Sequence, residues 1–425
     1  MGVTGILHAD TDVRAVQRRT VGTLSVTQML SGVAVAGSLP AGALIAASLA
    51  GEGAAGLAQT AGVLGAALLA LPLAQLALSH GRRFALSTGY AIGAFGAVTV
   101  VIGGTAGVIG VVLLGCLLLG VSTAAGYQGR YAATDLADED HRGRALSIVV
   151  WAGTIGAVLG PNLLEFSGSL ALRAGLPQLT GPFVLAAAVL VGASVILFVR
   201  LRPDPYLLAR SVAEAASGPT ARPRLRDGLA HLRRHRRAVL GIAAVSIGHV
   251  AMVMVMVMTP VHMAHVDVSL RLIGLVISVH VLGMFALSPV VGWAVDRFGR
   301  IQIIVVGAVI LLMSSVVSGL APAENVPVLG AGLFLLGLGW SCTLIAGSTL
   351  LTDDCDPAER PSVQGLSDLS MNVAGALGGA LAGIIVLQSS YAVLCAAAAV
   401  PVLALLALVA LPAMRAAAGL GVTKN

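Results

Sequence analysis

Twelve stretches of apolar sequence, each long enough to cross a bilayer, limit this chain more than anything else in it. A membrane helix needs roughly 20 mainly apolar residues at 1.5 Å rise each. Such runs occupy residues 20–48, 54–78, 84–104, 107–132, 145–167, 180–200, 238–263, 271–292, 301–320, 327–350, 362–387 and 391–412. Composition supports this. Apolar residues fill 57% of 425 positions and charged residues 10%, where a soluble domain carries roughly 25% charged. The 53 glycines fit as well, because glycine is more frequent in membrane helices than in soluble ones. The fold class is therefore an all-α polytopic membrane protein. A soluble enzyme, a disordered chain and a collagen-like fibre are excluded.

The net charge of +6 raises the question of a nucleic-acid partner, and its placement answers it. Arg14, Arg18 and Arg19 precede the first run, and Arg82 and Arg83 follow the second. Arg142 and Arg144 follow the fourth, Arg297 and Arg300 follow the eighth, and ten arginines lie from Arg200 to Arg237. Only Arg173 and Arg271 fall in the opposite loops. The positive-inside rule assigns the basic side to the cytoplasm and both termini with it. The charge records topology, and no nucleic acid is expected.

The four cysteines form no C-x-x-C pair and resemble neither a disulfide framework nor a zinc site. The first 19 residues are polar and the run after them is of full membrane length, so no cleavable signal is expected. Residues 201–237 are the one long polar segment, with prolines at 203, 205, 219 and 223. They divide the chain into an N-terminal half (1–200), a basic linker (201–237) and a C-terminal half (238–425). Residues 222–237 suit either a basic amphipathic helix on anionic headgroups or a solvated anchor.

One offset of 218 residues relates the halves. It carries Gly81-Arg82 to Gly299-Arg300, Asp135 to Asp353, Arg142 to Arg360 and Gly160 to Gly378. A shared register across two loops and a helix points to duplicated six-helix halves.

On these residues the chain resembles the major facilitator superfamily over essentially its whole length. Gly292-Trp293-Ala294-Val295-Asp296-Arg297-Phe298-Gly299-Arg300 fits that family's loop signature, G-x-x-x-D-R-x-G-R. The resemblance implies twelve transmembrane helices in two pseudo-symmetric six-helix bundles. In such a loop the acid can face a helix N-terminus and the arginines can form ion pairs. The first copy departs from the signature: Ala74, Leu78 and Ser79 stand at its opening Gly, its Asp and its next Arg positions. Asp368 is expected to pair instead with Arg82, Arg83 or Arg130. Gly156-Ala157-Val158-Leu159-Gly160-Pro161 matches the G-x-x-x-G-P core associated with exporters, chiefly drug/proton antiporters, although Leu164 and Glu165 replace two later glycines. The family's buried arginine of the fourth helix is absent; Cys116 aligns there.

The resemblance also implies a cavity lined by the first, fourth, seventh and tenth helices. Its substrate-binding candidates are Gln28, Tyr127, Gln128, His249, Met252, Met256 and Trp340. Serines and threonines there can equally bond a carbonyl one turn back. The methionines of the seventh helix suit an adaptable apolar surface, plain packing or, with the histidines on or near that helix, a soft-metal pathway. Proton-coupling candidates are Asp368, His280, His249 and Glu165, because ionisable groups at depth are functional by default. Gate candidates are Asp296, Arg297, Arg300, Arg82, Arg83, Arg130, Arg142, Gly156, Gly160 and Pro161.

No phosphate-binding loop, nucleophile elbow or metal-catalytic pattern occurs, so an ATP-driven pump or an enzyme is not expected, nor any cofactor or bound metal. The expected function is export of amphipathic, drug-like compounds across the bacterial cytoplasmic membrane in exchange for protons, by a monomer. A proton-coupled importer of a small nutrient is the alternative. A non-transporting receptor or scaffold is the reading from a different class.

Overall fold

A helix with no hydrogen-bonding solvent around it must satisfy its own backbone, so a chain of this composition can only be helical within lipid. The computed structural model describes residues 3–51, 54–217, 225–264, 266, 268, 270–353 and 355–410, and these contain no strand. Eleven helical stretches are long and apolar enough to cross a membrane. One of them, Ala55–Ala106, has 52 residues, which is about 78 Å and far more than a bilayer's hydrocarbon core. It is two spans joined at Gly81, where φ is 86° and ψ is 172°. Among the described residues the count is therefore twelve.

Three boundaries differ from the sequence expectation. The first helix begins at Val3, well before residue 20. The fifth span breaks into Arg142–Asn162 and Leu164–Arg173. Pro161 has no N–H for the carbonyl one turn back, and the Asn162 side chain donates to the Val158 carbonyl at 2.7 Å. The eighth span breaks into Leu270–Phe285 and Ser288–Phe298, the second piece opening with Pro289 near its start.

The chain forms two compact units. The first comprises Met1–Asp138, Ile148–Gly228 and Asp356–Leu369. Its helices approach through small residues. A side chain at Gly156 would run into the Met29 carbonyl and the Gly32 backbone, and one at Gly160 would lie 2.7 Å from the Gly37 nitrogen. The exporter-like G-x-x-x-G-P stretch is thus where the fifth helix crosses the first. After the sixth helix, Asp204 caps Pro205–Ser217 by accepting from the Tyr206 and Leu207 amides at 3.0 and 3.1 Å. Residues 218–224, including Arg222 at the start of the basic stretch, lie outside the described residues; Leu225–Arg234 is helical.

The second unit comprises Glu139–Ser147, Leu229–Cys355 and Ser370–Asn425. Its most enclosed span is Val326–Asp353, buried at nearly every position from Gly339 to Thr352. Most of this helix's buried hydroxyls turn back onto it: Thr343, Thr349 and Thr352 donate to the carbonyls of Trp340, Ile345 and Ser348. Gly292 and Gly143 meet so closely that a side chain at Gly292 would strike Ser147 and the Gly143 carbonyl.

Candidate functional site

Each unit contains one cluster of charged residues built from the repeated loops. In the first unit Arg82, fully buried, donates from Nε to Asp135 at 2.9 Å and from Nη2 to the Gln364 carboxamide. The second unit repeats the pair at the same offset: Arg300 Nε to Asp353 at 2.7 Å. The glycines before both arginines have positive φ, 86° at Gly81 and 103° at Gly299. Only glycine adopts that turn without strain, which explains why Gly-Arg recurs.

The first cluster continues inward. Arg130 Nη2 donates to Asp368 Oδ1 at 2.8 Å, and both side chains are at most 3% exposed. The Arg130 guanidinium lies 5.3 Å from the centre of the Tyr127 ring and 4.7 Å from that of Tyr131. The Tyr131 hydroxyl bonds Ser367 at 3.2 Å. Of the three partners expected for Asp368, the structure selects Arg130. Arg360 reaches the Asp135 carbonyl at 3.1 Å. The network is not saturated: Nη1 of Arg82 and Nε of Arg130 are buried without a hydrogen-bond partner among the described residues.

The second cluster is wetter. Asp353 also accepts from Arg142 at 2.9 Å, and Asp353 and Arg300 keep 15% and 13% of their side-chain surface exposed. A cavity of about 390 Å³ opens beside Glu139, Asp140, Arg237, Arg300 and Asp353. Asp296 accepts from the amides of Gly143 and Arg144, both at 2.9 Å, at the start of Arg142–Asn162. An anion there satisfies free N–H groups and complements the helix dipole. Arg297 is exposed. Arg83 donates only its backbone N–H to Asp204, at 2.7 Å, and its guanidinium lies over Phe198.

The substrate candidates divide between the units. In the first, Gln28 is half-buried, its carboxamide beside Gly126 and Gly153, whose missing side chains leave it room. Tyr127 adjoins the Arg130–Asp368 pair, and Gln128 is buried and donates to the Ala70 carbonyl at 3.0 Å, a tie between helices. In the second, Trp340 Nε1 donates to His249 Nδ1 at 3.1 Å, and Phe285 meets Trp340 edge-on at 5.8 Å. That bond requires the His249 tautomer protonated on Nε2. Met252 is buried and Met256 partly exposed.

His280 is fully buried and its Nδ1 bonds the Leu333 carbonyl at 2.8 Å, tying the eighth helix to the tenth. Glu165 is exposed in the first turn of Leu164–Arg173. Among the described residues no group of three or more His, Cys, Asp or Glu is placed to hold a metal. Sequence reasoning treated Asp135 and Asp353 only as repeat landmarks, and missed Gln364, Tyr131 and Phe285. The repeat was the available signal for the two acids, since each returns to the arginine of its own half.

Membrane-spanning helices with a duplicated charged loop in each half are the architecture of a transporter built from repeats. Residues 24–270 and 242–421 match the family model described as Major Facilitator Superfamily, and the chain belongs to that family. It is similar to the uncharacterized MFS-type transporter YdeG of Bacillus subtilis, 39% identical over 379 residues covering 89% of this chain and 88% of that one. It is also similar to the riboflavin transporter RfnT of Brucella anthropi, 31% identical over 314 residues, 72% of this chain and 74% of that one. The human organic anion transporter MFSD10 shares its fold at a TM-score of 0.70 and 18% identity, covering 92% of this chain and 99% of that one. So does FucP in its outward conformation, at 0.70 and 15%, covering 91% and 97%. The chain is a multi-pass membrane transporter.

Proposed function

We propose that this transporter exports amphipathic organic compounds across the bacterial cytoplasmic membrane in exchange for protons, with both termini in the cytoplasm. The reading rests on the Arg130–Asp368 pair. A carboxylate and a guanidinium, both nearly free of solvent, gain from each other only while they stay in contact. Separating them takes the nearest guanidinium away from a carboxylate where water is scarce, and a proton lowers that cost. Arg130 belongs to the N-terminal half of the sequence and Asp368 to the C-terminal half. Rocking of the two halves would part them, which couples proton uptake at Asp368 to alternating access. Asp296, Arg300 and Arg142 supply the second set of gate contacts, and Gly156, Gly160 and Pro161 the close crossing about which the fifth helix moves.

The ring cluster of His249, Trp340 and Phe285 suits a flat aromatic solute. Protonating His249 on Nδ1 would remove the acceptor that Trp340 uses, so this pair can report on substrate and proton together. The test is proton flux in vesicles containing purified protein, across a panel of cationic and neutral aromatic compounds. Efflux driven by a pH gradient, lost in Asp368→Asn, is the expected result; no response to any compound overturns the export reading. The second reading is proton-coupled import of a metabolite, favoured by similarity to the riboflavin transporter. Uptake of riboflavin down a proton gradient in the same vesicles would select it.

A further inference from the structure

We propose that the first unit has a built site for one anionic phospholipid, with the headgroup on Arg83 and Arg202 and an acyl chain in a groove between the third and sixth helices. The groove has a volume of about 290 Å³ and is lined by Phe84, Ser87, Thr88, Ala91, Ser194, Val195 and Phe198. Two of its three hydroxyls are turned onto the backbone. Ser194 donates to the Ser87 carbonyl at 2.8 Å, and Ser87 to the Phe84 carbonyl at 3.1 Å. The small residues Ser87, Ala91 and Ser194 leave the depression, and Phe84, Val195 and Phe198 form walls that are at least 40% exposed. Exposed aromatic rings flanking a groove whose serines bond the backbone fit hydrocarbon better than water.

The charge sits at one end only. The Arg83 and Arg202 guanidinium carbons lie 5.1 and 5.7 Å from the centre of the Phe198 ring. The nearest acid, Asp204, is committed to the backbone amides of Arg83, Tyr206 and Leu207. Among the described residues neither Arg83 nor Arg202 forms an ion pair. From Arg83 to Ala91 the helix rises roughly 12 Å, the length of the upper part of an acyl chain. Two guanidiniums held against a ring at a membrane-facing edge therefore meet a phosphate, and the groove below receives the chain attached to it. Arg83 follows Arg82 directly, so an occupied site would bear on the first charged cluster.

Native mass spectrometry of the purified protein with phosphatidylglycerol, phosphatidylcholine and soluble glycerol phosphate tests the assignment. Wild type should retain one phosphatidylglycerol at least tenfold more readily than phosphatidylcholine. Arg83→Gln/Arg202→Gln should lose that preference, and Ala91→Trp, which fills the groove and keeps both arginines, should reduce retention. Ala91 is exposed, and an unchanged melting temperature in lipid-free detergent establishes that the variant is folded. Equal retention of both lipids by wild type, full retention by either folded variant, or competition by glycerol phosphate at the same concentration as the lipid would overturn the proposal.

Discussion

The two charged clusters begin from the same duplicated residues and end as different devices. Arg82–Asp135 and Arg300–Asp353 are one pair written twice. Around the second copy, Asp296 caps a helix through two backbone amides. The offset puts Leu78 where Asp296 stands and Pro361 where Gly143 stands. A proline has no N–H to offer, so the first copy has lost the acid and one of its donors together. In exchange it has Arg130–Asp368, whose counterparts by the same offset, Ser348 and Val150, carry no charge. The first cluster is buried almost completely, and each of its two acids pairs with one arginine of that unit; the second is open to a cavity and shares its acid between two arginines. The difference teaches that duplication set the frame, and that later losses and gains concentrated an all-or-none contact in one unit.

The largest expected effect follows from that contrast. Asp368→Asn leaves Arg130 charged in a site that is almost free of water, and breaking a buried pair this way costs about 3–5 kcal/mol. Asp353→Asn should cost less than half as much, because Arg300 keeps the Glu139 carbonyl and water can reach the cavity. Thermal unfolding of both variants in detergent makes the comparison. Adding Arg130→Gln to Asp368→Asn should recover part of the loss. Equal destabilisation by the two single variants would remove the distinction between dry and wet clusters.

The twin glycines sharpen the comparison at the backbone. Alanine at a positive φ is strained by about 1–3 kcal/mol, so Gly81→Ala and Gly299→Ala should both destabilise. They should not do so equally. At Gly81 the methyl meets the Asp204 carboxylate, which three amides hold in place; at Gly299 it meets the end of the Gln302 side chain, which can swing aside. The larger drop in melting temperature belongs to Gly81→Ala, and the reverse order would mean that Asp204 is less firmly held than its bonds indicate.

These contrasts also show what the sequence could and could not disclose. The twelve spans and the 218-residue register were readable because lipid admits only helices of one length and because duplication preserves spacing. Gly81 and Gly299 were readable for the same reason. Partners were not. Periodicity says that Asp368 lies on a helix, but the choice of Arg130 over Arg82 is a tertiary distance, and Arg82 was already taken by Asp135 and Gln364. The depth of His280 was legible, whereas its bond to the Leu333 carbonyl depends on how two helices pack. The breaks at residues 163 and 286–287 needed backbone geometry, since a proline can either kink a span or divide it.

A smaller effect probes the asymmetric cap. Asp296→Asn keeps one acceptor and loses the charge facing the start of Arg142–Asn162, which should cost about 1 kcal/mol. Leu78→Asp should not restore symmetry in the other unit. Position 78 is buried and Pro361 supplies no amide, so the new carboxylate would be stranded and the variant would melt lower than wild type.

The smallest effect lies at the wet rim of the second cluster. Glu139 is 76% exposed and its carboxylate stands 3.7 Å from Arg142. Its backbone carbonyl, which Arg300 uses, is untouched by Glu139→Gln. Exposed pairs contribute about 0.2–1 kcal/mol at most, and salt screens them over roughly 10 Å at 0.1 M. The variant should therefore shift the melting temperature slightly at low ionic strength and not at all in 0.5 M salt. Asp368→Asn should keep its full effect at both, because no counter-ion enters a buried pair. If Glu139→Gln and Asp368→Asn responded to salt alike, the two clusters would share one dielectric environment, and water access would not be what separates them.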